Sequence, residues 1–328
     1  MARRELNWAI LGCGEIATQM CRAFRAAGRR PYSVANRTHQ RAEAFAREYG
    51  IEKVYDSIDG MFADPRVDIV YIATPHNTHY PYVKRALEAG KHALVEKSIV
   101  LNSRELDDLA ALAAQKKRML GEAMTIWHMP LYRELRQILS SGTLGRVQII
   151  TMNFGSFKPY DMANRFFNMD LAGGALLDIG VYALSIVRGF MDIAPGEIAS
   201  LWNPSPTGSD ESSVILLKNA SGQLATVALS MHSKQPKRAM ISCEKGYVEI
   251  MEYPRADRAL VVDAATGAQR EIAAGATENA LYYEVLDMEE AVAAGDSSLL
   301  RLEESRDVMT IMTRLRKDWN LKYPGEKW

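Results

Sequence analysis

A strand-like run, "WAIL", passes directly into "GCGEIATQMCRAF", a glycine turn that opens an amphipathic helix. Gly12, Gly14 and Ala17 stand there in a GxGxxA pattern, with Glu15 and Ile16 between them. Glycines at this spacing permit a tight turn and let backbone N–H groups approach a pyrophosphate, while the helix N-terminus adds partial positive charge. The pattern has this meaning only between the first strand and first helix of a βαβ unit, and that is where it lies. The bland alternative is a glycine turn needed only for close packing.

The chain keeps the same alternation up to Met124. Candidate strands are "WAILG" (8–12), "PYSVANR" (31–37), "KVYD" (53–56), "VDIVYIAT" (67–74), "HALVEK" (92–97) and "MLGEAM" (119–124). Between them, stretches such as "THQRAEAFAREYG" carry apolar residues at helical spacing and end near glycine. Alternating strands and helices predict a doubly wound parallel sheet of the Rossmann kind. After "PLYRELRQILSSGTLG" (130–145) the pattern changes to "RVQIITMNF", "SSVILLKN", "QLATVALSMH", "RAMISCE" and "GYVEIMEY", separated by Gly, Asn, Pro and Ser turns. These read as a large, mostly antiparallel open sheet in an α+β domain, closed by helices over 279–294 and 303–320. The expected fold is thus α/β, with an NAD(P)-binding domain over 1–124 and a substrate-binding and oligomerisation domain over 125–328. Both faces of several second-domain strands are apolar, as with Val248 and Ile250 against Tyr247 and Met251. One face then needs a second subunit, in a homodimer or a dimer of dimers.

At 328 residues the chain exceeds the roughly 250 to 300 at which single cores stop growing, in keeping with two domains. Lysine plus arginine equals aspartate plus glutamate at 40 each, leaving no field to gather nucleic acid or an anionic membrane surface. The expected partner is a small-molecule substrate. Cys13, Cys21 and Cys243 form no CxxC pair and cannot all be bridged, and the N-terminus lacks a signal-peptide core, so a cytoplasmic location is expected. No run approaches a membrane span in apolar length.

The end of the second candidate strand bears on the cofactor. An acid there would bind a ribose 2′-hydroxyl, but the chain reads "ANRTHQR", with Asn36, Arg37 and Arg41. A carboxylate repels a 2′-phosphate, whereas guanidinium binds it, so NADP is preferred and NAD remains possible. The alternative leaves both arginines as solvated helix-start residues. At the carboxyl edge of the fifth strand stand Glu96 and Lys97, where open α/β sheets bind ligands. Lys97 is a candidate to hydrogen-bond a substrate hydroxyl; the other reading is a surface lysine paired with Glu96.

The order of GxGxxA, "ATPHNTH" (73–79), "EKS" (96–98), "GTLGRV" (142–147) and "GGALLDIGVY" (173–182) resembles the Gfo/Idh/MocA family of oxidoreductases. The last motif and the "LKYP" ending resemble its dihydrodiol dehydrogenase and glucose-fructose oxidoreductase branch. The resemblance implies that Lys97 matches the family's Glu-Lys-Pro lysine, and that Asp178 and Tyr182 match the acid and histidine of DxGxH. Tyrosine in the last place fits the branch, where it serves as acid/base. Ser98 departs from the usual proline, so the lysine's loop loses the restricted geometry a proline would set. The resemblance also puts Thr74, Pro75 and His79 at the dinucleotide, with Trp127 and His128 near substrate and nicotinamide. Tyr160, Arg165 and Phe166, just before the motif, are candidates to line the substrate pocket. His76 and His79 lack the further ligands a metal site needs, and no metal is expected.

Asp178 and Tyr182 lie four residues apart, on one face of a helix. Their structural reading is a helix cap and a core aromatic. Their chemical reading is a proton acceptor with a neighbouring carboxylate. Bringing a phenol from about 10 to about 7 takes roughly 4 kcal/mol of preferential phenolate stabilisation. Lys97 and an oxidised nicotinamide would contribute to that, while Asp178 would oppose it and instead bind a second hydroxyl or orient Lys97. The reading is a dehydrogenase or reductase of sugars, polyols or cyclic vicinal diols, in which Tyr182 moves the hydroxyl proton as hydride moves to or from the nicotinamide. A non-catalytic sensor of the dinucleotide is the alternative.

Overall fold

A computed structural model describes residues 5–328. Six strands, β1 (Trp8–Leu11), β2 (Ser33–Ala35), β3 (Lys53–Val54), β4 (Ile69–Ile72), β5 (His92–Glu96) and β6 (Leu120–Ala123), form one parallel sheet in the order β3-β2-β1-β4-β5-β6. Every residue of β1 and β4 is buried, because crossover helices cover both faces of a parallel sheet. The strand order reverses between β1 and β4, which opens a crevice beyond their carboxyl ends. The glycine turn and the "ATPHNTH" segment therefore lie side by side there.

Eight strands form the second sheet: β7 (Val147–Gly155), β8 (Glu197–Pro204), β9 (Asp210–Lys218), β10 (Leu224–Ser230), β11 (Gln235–Cys243), β12 (Gly246–Met251), β13 (Arg258–Asp263) and β14 (Gln269–Ala273). Their order is β14-β13-β12-β11-β7-β10-β9-β8, antiparallel except where β7 pairs with β10. β8, β13 and β14 lie outside the runs singled out in the sequence. β8 and β14 are mostly exposed or half-exposed, and lack the buried alternation that marks a strand. One face of the sheet packs Ile150, Met152, Ile215, Leu217, Val227, Ile241 and Val248 into the core. The helical segment behind it, Met169–Phe190, is long and apolar enough by composition to cross a membrane, contrary to the expectation that no such stretch exists. Its most apolar window is 83% buried, as in a core helix.

The chain divides into two compact units, and the division corrects the boundary read from the sequence in one respect. Residues 281–302, expected in the second domain, belong with the parallel sheet. Leu281, Val285, Met288 and Leu300 join the core of Trp8, Phe24 and Tyr71, and the Trp8 indole donates to Glu289 at 2.8 Å. A helix that returns more than 150 residues after the last strand of its sheet leaves no local sign of where it packs, because its apolar stripe suits either core.

Candidate functional site

In the first unit, Gly12 has φ +104°, and a Cβ there would stand 2.5 Å from the Ala73 carbonyl oxygen. Only glycine fits such an approach. Its N–H donates to Ala35 at 2.9 Å, tying the turn to the end of β2, while nothing lies within 4 Å of a Cβ at Gly14. The turn is thus closed on the protein side and open beside the N-terminus of the helix Glu15–Ala26, with Ala17 buried beneath. This is a cradle that fits a dinucleotide pyrophosphate. Asn36 donates to the Thr38 carbonyl at 3.1 Å, and Arg37 and Arg41 are exposed. Burial pushes the Cys13 thiol up to about 11, against the opposing charge of Arg41.

The β4 and β5 edges are joined by histidines. His79 is fully buried, with Nδ1 3.0 Å from the Ser98 carbonyl and Nε2 2.8 Å from the Thr74 carbonyl. Burial lowers its pKa, against the opposing pull of the Thr74, Ser98 and Ile99 backbone. Both ring nitrogens face the protein, which corrects the expectation of a direct dinucleotide contact: His79 holds two loops together. His76 packs edge-to-face on it, with Nε2 3.0 Å from the Lys97 carbonyl. The histidine pair thus grips successive carbonyls around Lys97, whose side chain is half-buried. The Lys97–Ser98 peptide is cis although no proline follows. Tyr71 donates its hydroxyl to Glu96, and Glu122 accepts the Ile99 N–H at 3.0 Å. Glu96 is therefore a buried support for the loop, and it also accepts the Lys97 backbone N–H at 3.3 Å. Tyr71 and Glu122 were missed in the sequence, where their only signal is a polar atom inside a buried strand, which needs a partner.

In the second unit, Asp178 lies in a π-helical turn, Leu176–Gly180, that runs into the helix Val181–Phe190. Single π turns are frequent at functional sites. Asp178 is 8% exposed and accepts from Arg165 at 3.1 Å. The guanidinium balances its charge, so it opposes a neighbouring phenolate less than a bare carboxylate would. Tyr182 is half-buried, with its ring 6.3 Å from that of Phe154. The preceding segment builds a partly exposed aromatic wall: Tyr160 stacks on His232 at 3.9 Å, and Lys158 and Arg165 lie 4.5 and 4.4 Å from the Phe166 ring. Tyr160 also donates to Glu211. Arg165 and Phe166 are thereby brought to Asp178. Trp127 and His128 are each 1% exposed, and the Trp127 indole donates to Ser305 at 3.2 Å. Trp127 belongs to a packed core, which corrects its assignment as a substrate contact.

Residues 6–124 match the family model for oxidoreductases with an NAD-binding Rossmann fold, and residues 132–249 match the GFO/IDH/MocA C-terminal domain. The chain is 30% identical over 340 residues to trans-1,2-dihydrobenzene-1,2-diol dehydrogenase of Mus musculus, covering 98% of this chain and 99% of that one. The Homo sapiens protein of the same name is 28% identical over 336 residues, covering 98% and 99%. Among solved structures, aldose-aldose oxidoreductase from Caulobacter crescentus with glycerol superposes with a TM-score of 0.86 at 23% identity, covering 96% of this chain and 98% of that one. A 3-ketoreductase from Actinomadura kijaniata with NADP and TDP-benzene gives 0.83 at 22%, with the same coverage. At those identities the two structures speak for the fold, whereas the family models and the full-length relatives carry descent: the chain belongs to the Gfo/Idh/MocA family of oxidoreductases, with that family's NAD-binding Rossmann domain.

Proposed function

We propose that the protein is a cytoplasmic NADP-dependent dehydrogenase or reductase of cyclic vicinal diols, polyols or sugars, with Tyr182 as its acid/base. The observation that carries this reading is a half-buried phenol one turn beyond a buried, arginine-balanced carboxylate, on a chain related over its whole length to diol dehydrogenases. Tyr182 takes the proton of a substrate hydroxyl, or returns it in the reductive direction. Lys97, on a loop gripped by His76 and His79, hydrogen-bonds the same oxygen and brings positive charge that favours the phenolate. Asp178, held by Arg165, accepts from a second hydroxyl, which suits two hydroxyls on adjacent carbons. The bound dinucleotide supplies the hydride acceptor or donor. Preference for NADP rests on Arg37 and Arg41 where an acid would select NAD.

A panel of aldoses, polyols and cyclic diols, followed at the reduced-nicotinamide absorbance with either cofactor, tests the reading. Turnover of a vicinal diol with NADP⁺, more efficient than with NAD⁺, is expected. Tyr182→Phe is expected to lower kcat by roughly the 10² to 10⁴ that a positioned acid/base contributes. Near-full turnover by that variant overturns the assignment, and silence across the panel despite tight NADP binding favours a dinucleotide sensor.

The outer face of the eight-stranded sheet supports assembly of two copies. Leu201 is 81% exposed, Val214 and Leu216 51%, and Ile149 and Leu224 42%. Leu201 pairs with Val214, and Leu224 with Ile149, so these side chains form one patch across four adjacent strands. A patch of this kind marks an interaction surface.

A further inference from the structure

The entry to the helix that carries Asp178 and Tyr182 is held from two remote parts of the second unit. Asp210, at the start of β9, is fully buried, and its Oδ2 accepts the Leu176 N–H at 2.5 Å. Its Oδ1 has no hydrogen-bond partner among the described residues and is lodged against Gly174, where φ is +137° and a Cβ would stand 2.0 Å from that oxygen. Any side chain at position 174 would expel the carboxylate. From the other direction, the buried Tyr323 donates its hydroxyl to the Gly173 carbonyl at 3.0 Å. Gly173 is itself tight, since a Cβ would lie 2.6 Å from the Arg165 carbonyl oxygen.

Tyr323 is held in turn. Its N–H donates to Glu326, and Glu326 forms a bidentate pair with Arg316 at 2.8 and 2.8 Å, both side chains at 0% exposure. Asn102 adds a 2.9 Å hydrogen bond to Glu326, Arg316 donates to the Leu101 carbonyl, and the guanidinium stacks over the Tyr323 ring. The "LKYPGE" segment is thus a clasp held by its buried Leu321, Tyr323 and Glu326, and its phenol ends on the first residue of "GGALLDIGVY".

We propose that Asp210 and Tyr323 are positioning residues that set the register of the π turn and so aim Asp178 and Tyr182. The physical reason is the turn itself. Its i→i+5 bonding changes the rotation per residue, so the directions of Asp178 and Tyr182 depend on where it starts. The Gly173 carbonyl and the Leu176 N–H bracket that start, and each is fixed by one of the two residues. This inference rests on the reading of Asp178 and Tyr182 as the proton-handling pair, but its structural part is measurable without it.

Three variants test it: Tyr323→Phe, which keeps the ring and removes only the donor; Asp210→Asn, which keeps an acceptor for Leu176; and Asp210→Ala. Amide exchange by mass spectrometry is read over 173–184 on the full chain, beside NADP⁺ affinity and, with a substrate in hand, kcat and KM. For Tyr323→Phe and Asp210→Ala, exchange of the 175–180 amides is expected to speed up roughly tenfold, on the scale of one buried hydrogen bond, with the remainder unchanged. Turnover is expected to fall more than KM rises, with NADP⁺ affinity within about twofold and Asp210→Asn recovering most of the loss. Unchanged exchange at 175–180 in Tyr323→Phe overturns the proposal, as does acceleration spread evenly over the chain. If Tyr182→Phe keeps its turnover while these variants loosen only 175–180, the acid/base reading fails and the positioning stands. If Tyr182→Phe is inactive while these variants change neither exchange nor kcat, the positioning fails alone.

Discussion

Asp210 shows how one buried side chain couples local structure to pH. Burial pushes its carboxyl up to about 7, against the Leu176 and Ala175 N–H groups and the charge of Arg316, with Tyr323 and Glu326 nearby. An unfolded aspartate releases its proton near 4, so between about 4 and about 7 the folded chain holds a proton that the unfolded chain has lost. The linkage is then unambiguous in sign: the raised carboxyl lowers stability as pH rises through that window, by up to about 4 kcal/mol, and the loss levels off above about 7. Asp210→Asn removes this contribution. Its melting temperature is expected to fall less than the wild type's between pH 5 and pH 8, and parallel curves for the two proteins exclude the effect. Nothing in the sequence announces Asp210, which lies 34 residues from its partner at the strand start in "GSDESS". Asp178 and Tyr182 stand out in the sequence as a charge and a phenol one turn apart in an apolar helix, but read alone they fit packing, and only the resemblance of their motif to DxGxH gives them a chemical role. Residues that support such a pair satisfy the ordinary pattern, and so leave no mark.

At the scale of elements, the loop after β5 is shaped by its neighbour after β4. The spacing in "PHNTH" puts His76 and His79 on one side of a short helical turn, from which they reach the Lys97 and Ser98 carbonyls. The sequence shows the two histidines and the lysine but not their connection, since hydrogen bonds to a carbonyl carry no side-chain signature on the accepting residue. The two histidines should separate experimentally. His79→Ala leaves buried carbonyls of Thr74 and Ser98 without their partner and a void beside them, at a cost of about 2 to 4 kcal/mol. Its melting temperature is expected to drop by several degrees. His76→Ala removes a half-exposed side chain that bonds the Lys97 carbonyl and packs on the His79 ring, so its melting temperature stays nearer the wild type's while kcat falls. Equal thermal losses in both variants would show that the pair is a single structural unit with no division of labour.

The whole molecule is governed by what its two sheets leave exposed. The parallel sheet is covered on both faces, and sequence grammar suffices to find it, because period and length differ so clearly between its strands and helices. The second sheet buries one face against helices and leaves Leu201, Val214, Leu216, Leu224 and Ile149 on the other. An alternation of apolar residues on both faces can be read from a strand, but which face stays exposed can be read only from the assembled sheet. Two copies meeting through one patch form an isologous pair, in which a single substitution acts twice. Leu216→Lys at the centre of the patch puts two ammonium groups into a desolvated contact, a cost of several kcal/mol per dimer, whereas the same change on an exposed monomer surface costs little. Light scattering at micromolar concentration is expected to give a mass of at least twice 36.6 kDa for the wild type and a monomeric mass for the variant, with an unchanged circular dichroism spectrum. A wild type already monomeric at that concentration would mean that this apolar face serves another partner.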